Sequence, residues 1–332
     1  MTRNLAKLAL LMAFIVVTLG ALTRLMDAGL GCPDWPGCYG QVIPPAHGSL
    51  IENAVVHGGK AWMEMIHRYV ASALGFVIIL IVFFAQKDKA TVSNSTRWLT
   101  RFLLLLVIAQ GLFGMWTVTM KLLPQIVTLH LLGGLAVLAL LFLLNLMLSP
   151  TRRIETEKTP RLLALIVLLL LSGQIALGGW TSSNYAGLAC TDFPTCDGHL
   201  LPPLEFESAF DVTQRHDINY EGGHLDAAPL VTIQYVHRLV ALVLFVLLLT
   251  LVTQLRQIPQ MKRHSLLLLF FTVLQVSLGI IIAVTMLPLP LALAHNTGAA
   301  LLLLDVVYIN YVLNANKRTA RQQINTVESV IR

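Results

Sequence analysis

Charge is scarce in this chain. Of its 332 residues only 12% are Asp, Glu, Lys or Arg, against 56% that are apolar. So little charge cannot coat the two soluble domains that the length alone would allow. Cysteine is scarcer still, confined to Cys32, Cys38, Cys190 and Cys196. A cleavable export signal is not expected either. Arg3 and Lys7 precede an apolar run, but no small-residue cleavage site follows it, so this run is expected to stay as a first span. What the chain has in quantity is unbroken apolar sequence. Runs of roughly 18 residues or more fall at about 8–26, 63–85, 99–119, 127–148, 162–180, 232–254, 264–284 and 291–313. The expected fold class is all-α: a polytopic membrane protein with eight transmembrane helices.

The net charge of +6 suggests nucleic acid until its distribution is seen. Arg3, Lys7, Lys87, Lys89, Arg97, Arg101, Arg152, Arg153, Lys158, Arg161, Arg256, Lys262, Arg263, Lys317, Arg318, Arg321 and Arg332 all fall on one side of the eight spans, 17 of 23 basic residues. The excess therefore describes topology, with both termini in the cytoplasm by the positive-inside rule. No nucleic-acid surface is expected.

The chain repeats itself. LGALTRLMDAGLGCPDWPGC (19–38) aligns with LGGWTSSNYAGLACTDFPTC (177–196) at an offset of 158, and IHRYVA (66–71) with VHRLVA (236–241) at 170. Gln110, Gly114, His130 and Gly133 align with Gln275, Gly279, His295 and Gly298 at 165. Each half has four spans, so both insert in the same direction. Two tandem pseudo-symmetric four-helix bundles are expected, at 1–150 and 151–332, each able to hold a cofactor.

His67, His130, His237 and His295 begin spans two, four, six and eight. An intramembrane histidine is costly and marks a functional site by default, although a helix-to-helix hydrogen bond accounts for a single one. Four in repeat-related pairs suit the axial ligation of two haems. They are expected three to six residues into their spans, near the outer face. Arg24, Arg68, Lys121 and Arg238 stand at the same level and suit haem propionates; interfacial snorkelling is the plainer account of each. The other histidines, His47, His57, His199, His216, His224 and His264, are expected in loops or at a span edge, in contact with solvent, with His57 beside Gly58 and Gly59 the first candidate exception.

Both cysteine pairs, Cys32 with Cys38 and Cys190 with Cys196, have five residues between them and fall on the outer side. Such pairs read as local disulfides in an oxidising compartment. Four cysteines around zinc is the alternative, with poor spacing for it. One asymmetry separates the halves: Glu64 stands three residues before His67, where Gln234 stands before His237. A carboxylate there can move protons or stabilise a developing cation, which places chemistry in the first half. The plainer account is an ion pair with Arg68, one turn away.

Together, E-x-x-H-R at Glu64, His67 and Arg68, H-x-x-G at His130, the pair His237 and His295, and the paired outer cysteines resemble the haem A synthase family over essentially the whole chain. The resemblance implies oxidation of the C8 methyl group of haem O to a formyl group, giving haem A for terminal oxidases. It implies that His237 and His295 ligate a resident haem b, that His67 and His130 embrace haem O, and that Glu64 is catalytic. Cys32 and Cys38 match the pair linked to electron transfer or substrate handover, and Cys190 and Cys196 the structural pair. It also implies haem O synthase as a partner, a membrane electron donor, a bacterial inner-membrane location and a homo-oligomer. A di-haem b-type cytochrome serving electron transfer alone explains the four histidines equally well, but leaves Glu64 and the cysteines unexplained. A secondary transporter fits less well, because no helix has paired Gly/Pro breaks at its middle. The loop at about 181–231 is long, with an acidic stretch at 207–226; capping the second haem is one use for it.

Overall fold

The computed structural model describes residues 1–51, 54–149, 154, 158–213 and 218–313. Arg152, Arg153, Arg215, His216, Lys317, Arg318, Arg321 and Arg332 lie outside the described residues.

Among the described residues, eight long helices account for the expected spans: α1 (Thr2–Leu25), α2 (Gly58–Lys87), α3 (Asn94–Thr119), α4 (Pro124–Met147), α5 (Lys158–Ser183), α7 (Ala227–Arg256), α8 (Lys262–Val284) and α9 (Leu289–Leu313). A four-residue helix, α6 (Phe206–Ala209), lies between α5 and α7. The shortest long helix has 23 residues, about 35 Å at 1.5 Å per residue, which exceeds the hydrocarbon thickness of a bilayer. All eight are long and apolar enough to cross a membrane, and the chain is a multi-pass membrane protein. Large apolar side chains such as Phe76, Phe83, Leu105, Leu169, Val246 and Phe270 point outward, more than half exposed. In water such a surface would aggregate; in lipid it is the solvated one.

Most helices start earlier than their apolar runs. Ser93 caps α3 by accepting from the Thr96 N–H at 3.2 Å, and Pro124 opens α4 at the position where its missing N–H costs nothing. The extension matters for the histidines. His67 and His237 stand nine and ten residues into α2 and α7, and His130 and His295 six residues into α4 and α9. This corrects the expected three to six for the first two, because residues 58–62 and 227–231 extend the helix ahead of the apolar run.

In the first half α1 packs on α2 and α4, and α3 joins α2 to α4. In the second half α5 packs on α7 and α9, and α8 joins α7 to α9. α4 meets α5, while α1 and α4 both meet α9. α1 presents Ala6, Ala9 and Ala13, each fully buried, a small-residue stripe of the kind that lets membrane helices touch. There the Asn145 amide donates to the Ala6 carbonyl at 2.9 Å. Its counterpart Asn310 donates to the Ala164 carbonyl at 2.9 Å.

Both cysteine-bearing loops close at one end of the helices. A two-stranded antiparallel ribbon, β1 (Leu50–Ile51) with β2 (Ala54–Val55), lies in the loop before α2. The repeat is visible in the backbone. Cys38 bridges to Gln41 as Cys196 does to His199, and left-handed φ recurs at Asp27 and Tyr185, at Lys121 and Met286, and at Leu122 and Leu287.

Candidate functional site

Each of the four histidines rests against a glycine of the helix before it. A side-chain carbon at Gly20 would lie 3.0 Å from the His67 ring, and one at Gly178 would lie 3.3 Å from His237. At Gly114 and Gly279 the distances to His130 and His295 would be 3.4 Å. The imidazoles on even spans therefore occupy space that odd spans leave open. All four keep part of their surface exposed, yet Nδ1 of His67, His130 and His295 is buried with no hydrogen-bonding partner. A buried polar atom left so is costly.

The His67 and His130 rings face one another across 6.4 Å between centroids, nearly perpendicular at 85°. Two imidazoles on opposite sides of one metal ion, at about 2 Å per metal–nitrogen bond, have centroids about 6 Å apart. The first pair thus has the separation that axial ligation of one iron requires. In the second half the Gln174 amide nitrogen lies 3.1 Å from Nδ1 of His237 and donates to that residue's own carbonyl at 3.0 Å. Gln275 does the same for the carbonyl of His295 at 3.0 Å.

Glutamines also explain the H-x-x-G pattern. The Gln110 side chain crosses α4 where a carbon on Gly133 would stand 1.8 Å from its amide nitrogen. Gln275 crosses α9 at Gly298 in the same way, at 3.0 Å. The glycine and glutamine positions escaped the assignment of roles from sequence, although the repeat had paired Gly20 with Gly178, Gly114 with Gly279 and Gln110 with Gln275.

Glu64 is 5% exposed. Its Oε2 accepts the Cys32 N–H at 2.9 Å, and its Oε1 takes a hydrogen bond from the Arg68 guanidinium. The plainer account of Glu64 is therefore present as an ion pair, and the carboxylate also holds the first cysteine loop. Arg68 goes further, donating to the carbonyls of Asp34 at 3.1 Å and Gly37 at 2.7 Å. Its counterpart Arg238 donates to the carbonyls of Cys190 at 2.6 Å and Asp192 at 2.8 Å. The two arginines share a task that the sequence did not suggest: each pins a disulfide loop to the helix that carries a histidine. Gln234 is buried with its carbonyl oxygen unpaired, so the second loop has no equivalent of the Glu64 anchor.

Both disulfides are formed, Cys32–Cys38 and Cys190–Cys196, each with 4.8 Å between α-carbons. No cysteine is free, and among the described residues no cluster of three or more His, Cys, Asp or Glu could hold a metal. The zinc alternative is therefore overturned, since bonded sulfurs cannot serve as thiolate ligands.

The remaining cations are also placed. Arg24 donates to the Ser182 carbonyl at 2.5 Å and lies 4.1 Å above the Tyr185 ring. Lys121 is exposed in the α3–α4 turn. Two lesser histidines also have protein partners. His47 accepts the Gly58 N–H at 3.2 Å. His264 lies within α8, 3.2 Å from the Asp305 carboxylate and stacked at 4.1 Å on Tyr308. His47 is exposed and His264 stands at the start of its span, both as expected, and these contacts come in addition.

The chain matches the family COX15-CtaA, described as cytochrome oxidase assembly protein, over residues 3–307. It is 45% identical over 319 residues to a protein named heme A synthase in Shewanella oneidensis, covering 93% of this chain and 96% of that one. It is 28% identical over 338 residues to the heme A synthase of Nitrosospira multiformis, covering 91% of this chain and 90% of the relative. The heme A synthase of Azorhizobium caulinodans is 28% identical over 330 residues, with 92% and 91% covered. With the family match running through all eight helices, the chain belongs to the COX15-CtaA family of cytochrome oxidase assembly proteins.

Proposed function

We propose that this protein is a haem A synthase, oxidising the C8 methyl group of haem O to a formyl group. The observation that carries the reading is the pair His67 and His130, 6.4 Å apart, with a buried carboxylate one turn from His67 that the second half replaces with an amide. Residues 1–150 form the substrate half and residues 151–332 the half with a resident haem b, each a four-helix bundle.

His67 and His130 hold the iron of haem O from its two sides and so orient the ring whose methyl group reacts. Glu64 provides a fixed negative charge beside that ring. Arg68 and the Cys32 N–H keep it from turning, and a pre-oriented charge stabilises a developing cation without reorganisation. To accept a proton, Glu64 would exchange its bond to Arg68 for one to the substrate side. His237 and His295 are the residues that would hold haem b, which supplies single electrons when bound. Gln174 and Gln275 fix their backbone, while Arg24, Arg68, Lys121 and Arg238 are the cations available to propionates. Arg68 and Arg238 would share that duty with the loop carbonyls they already bind.

The wider setting follows from the same reading. The location is the bacterial inner membrane, with both termini in the cytoplasm and both disulfides outside. Haem O arrives from haem O synthase, electrons come from a membrane donor, and the protein forms a homo-oligomer. The direct test is chromatography of haems extracted from cells that make haem O, with and without this chain, and with a Glu64→Gln variant. New haem A, lost in the variant while the b-type spectrum persists, is the expected result. Only haem B and unconverted haem O, from a folded di-haem protein, would leave the electron-carrier reading in its place.

A further inference from the structure

The long loop between α5 and α7 belongs to the second half by sequence, yet its two described parts go to different places. The first part packs mostly at home. Glu205 N–H donates to Thr232 at 2.8 Å, and the Trp180 indole donates to the Ala209 carbonyl at 2.8 Å. The second part crosses to the first half. The Tyr220 N–H donates to the Lys121 carbonyl at 3.0 Å, and the Tyr220 side chain is 5% exposed, in an apolar nest with Leu30, Leu122, Leu123 and Val127. Glu221 pairs with Lys60 of α2 at 3.6 Å. Nearby, the Gln125 amide of α4 donates to the Val212 carbonyl at 3.4 Å.

These contacts lie over the ends of the helices that carry the first histidine pair. Lys60 stands seven residues before His67, and Gln125 five residues before His130. At 1.5 Å per residue that is about 10 Å and about 8 Å beyond the two rings. The turn held by Tyr220, Lys121 to Leu123, leads directly into α4, and both Lys121 and Leu122 are in left-handed backbone. Neither is glycine, so the turn needs outside support to stay in that conformation. Tyr220 supplies it, by a hydrogen bond to one residue and burial against the next two. The segment turns back at Gly222 and Gly223, where a side chain on Gly223 would press on Tyr185 at 3.3 Å.

We propose that the segment Ile218–Leu225 closes the disulfide end of the first histidine pair. In this role Tyr220 and Glu221 are positioning residues for the tetrapyrrole bound there, which exchanges only when the segment lifts. The inference rests on the proposed function for the identity of that tetrapyrrole. It makes the second half a gate for the first: the half expected to hold haem b also governs how long the substrate half keeps its occupant. Tyr220 acts through the α3–α4 turn, and Glu221 through the end of α2.

The test uses full-length protein in detergent, loaded with haem O, and follows haem O transfer to excess apomyoglobin alongside retention of haem B. Tyr220→Ala should speed haem O loss at least tenfold, and Tyr220→Leu, which keeps apolar bulk and the backbone bond, should speed it less. Glu221→Lys and Lys60→Glu should each speed it about two- to fivefold, the range of an exposed ion pair, and the double exchange should restore the slow rate. Haem B retention should be unchanged in all of them. Equal acceleration of both haems would mean general loosening and would overturn the gate, as would no change in Tyr220→Ala. If the unaltered protein retains no haem O while keeping haem B, the functional reading itself fails and the gate goes with it.

Discussion

Tyr185 donates its phenolic hydrogen to the Asp27 carboxylate at 2.6 Å, and the two residues occupy the same place in their repeats, 158 positions apart. Both have left-handed backbone, φ 58° and 55°. Duplication has thus produced two equivalent corners that bond to each other, with the Arg24 guanidinium at 3.4 Å from the same carboxylate.

Tyr185→Phe should therefore weaken the contact between the halves by about 1 kcal/mol, the net value of one hydrogen bond. Partial burial, and then the bond to Asp27, raise the Tyr185 pKa above its ordinary value. A group with a raised folded pKa stabilises below its unfolded pKa, about 10, and loses that contribution as pH rises through the folded value. Unfolding in mixed micelles should show the two proteins apart at pH 8 and converging in strong alkali. A constant difference across that range would show that the phenol's titration plays no part.

Gly31 is pressed against α2: a side-chain carbon there would lie 2.5 Å from the backbone of Lys60. Backbone cannot swing aside as a side chain can, so Gly31→Ala should cost about 1–3 kcal/mol as overpacking. It should also stretch the adjacent bond between Cys32 N–H and Glu64. Thermal stability in detergent, together with amide exchange at Cys32, checks this; unchanged exchange would refute it.

Gly20 and Gly178 are seats for His67 and His237, so Gly20→Val should displace the first ring and spare the second. On the proposed function, which puts one haem at each histidine pair, Gly20→Val should lose the first haem and Gly178→Val the second. Full occupancy in both would show that the rings tolerate another position.

The Asp192 carboxylate is part-buried, and its pKa is lowered to about 2, first by the Thr195 hydroxyl and then by the Gly198 and Asp197 N–H groups. A depressed folded pKa stabilises above the unfolded value, about 3.9, and the contribution disappears as pH falls through the folded one. The second disulfide loop should therefore keep its Asp197 and Gly198 amides protected at pH 4 and lose them toward pH 2. Asp192→Asn should lose protection at every pH. Loss already complete at pH 4 in the unaltered protein would contradict the assignment.

The Asn145 and Asn310 bonds to the Ala6 and Ala164 carbonyls are of the interhelical kind worth about 0.6 kcal/mol in membranes. Asn145→Ala and Asn310→Ala should each cost about that, and the double variant their sum, since they share no partner. Non-additivity in denaturation would reveal a coupling between halves that the bonds themselves do not explain.

Much of this arrangement is legible in the sequence because a bilayer leaves few choices. An apolar run must become a helix, so all eight were readable, and evenness of span number followed. Helix ends were not, since residues 58–62 fall outside the apolar run that marks a span but meet no barrier to continuing one. The four histidines were legible because their residue type is rare at such depth. The work of Arg68 and Arg238 was hidden because their partners are main-chain carbonyls, which every residue has. The His264–Asp305 pair was hidden for a different reason: 41 residues separate its members, and only packing of α8 on α9 joins them. The crossing of the long loop was equally unreadable, since Tyr220 meets residues from both ends of the first half.

The two disulfide loops have a consequence for how the molecule is made. Helices and their glycine seats form from the chain alone, once it is in lipid. The loops that Arg68 and Arg238 grip are completed only by an oxidant, which reducing surroundings lack. Synthesis into vesicles under reducing conditions should therefore yield every helix and neither clasp. The finishing step of maturation belongs to whichever compartment meets the cysteines, and its redox balance sets the supply of finished molecules.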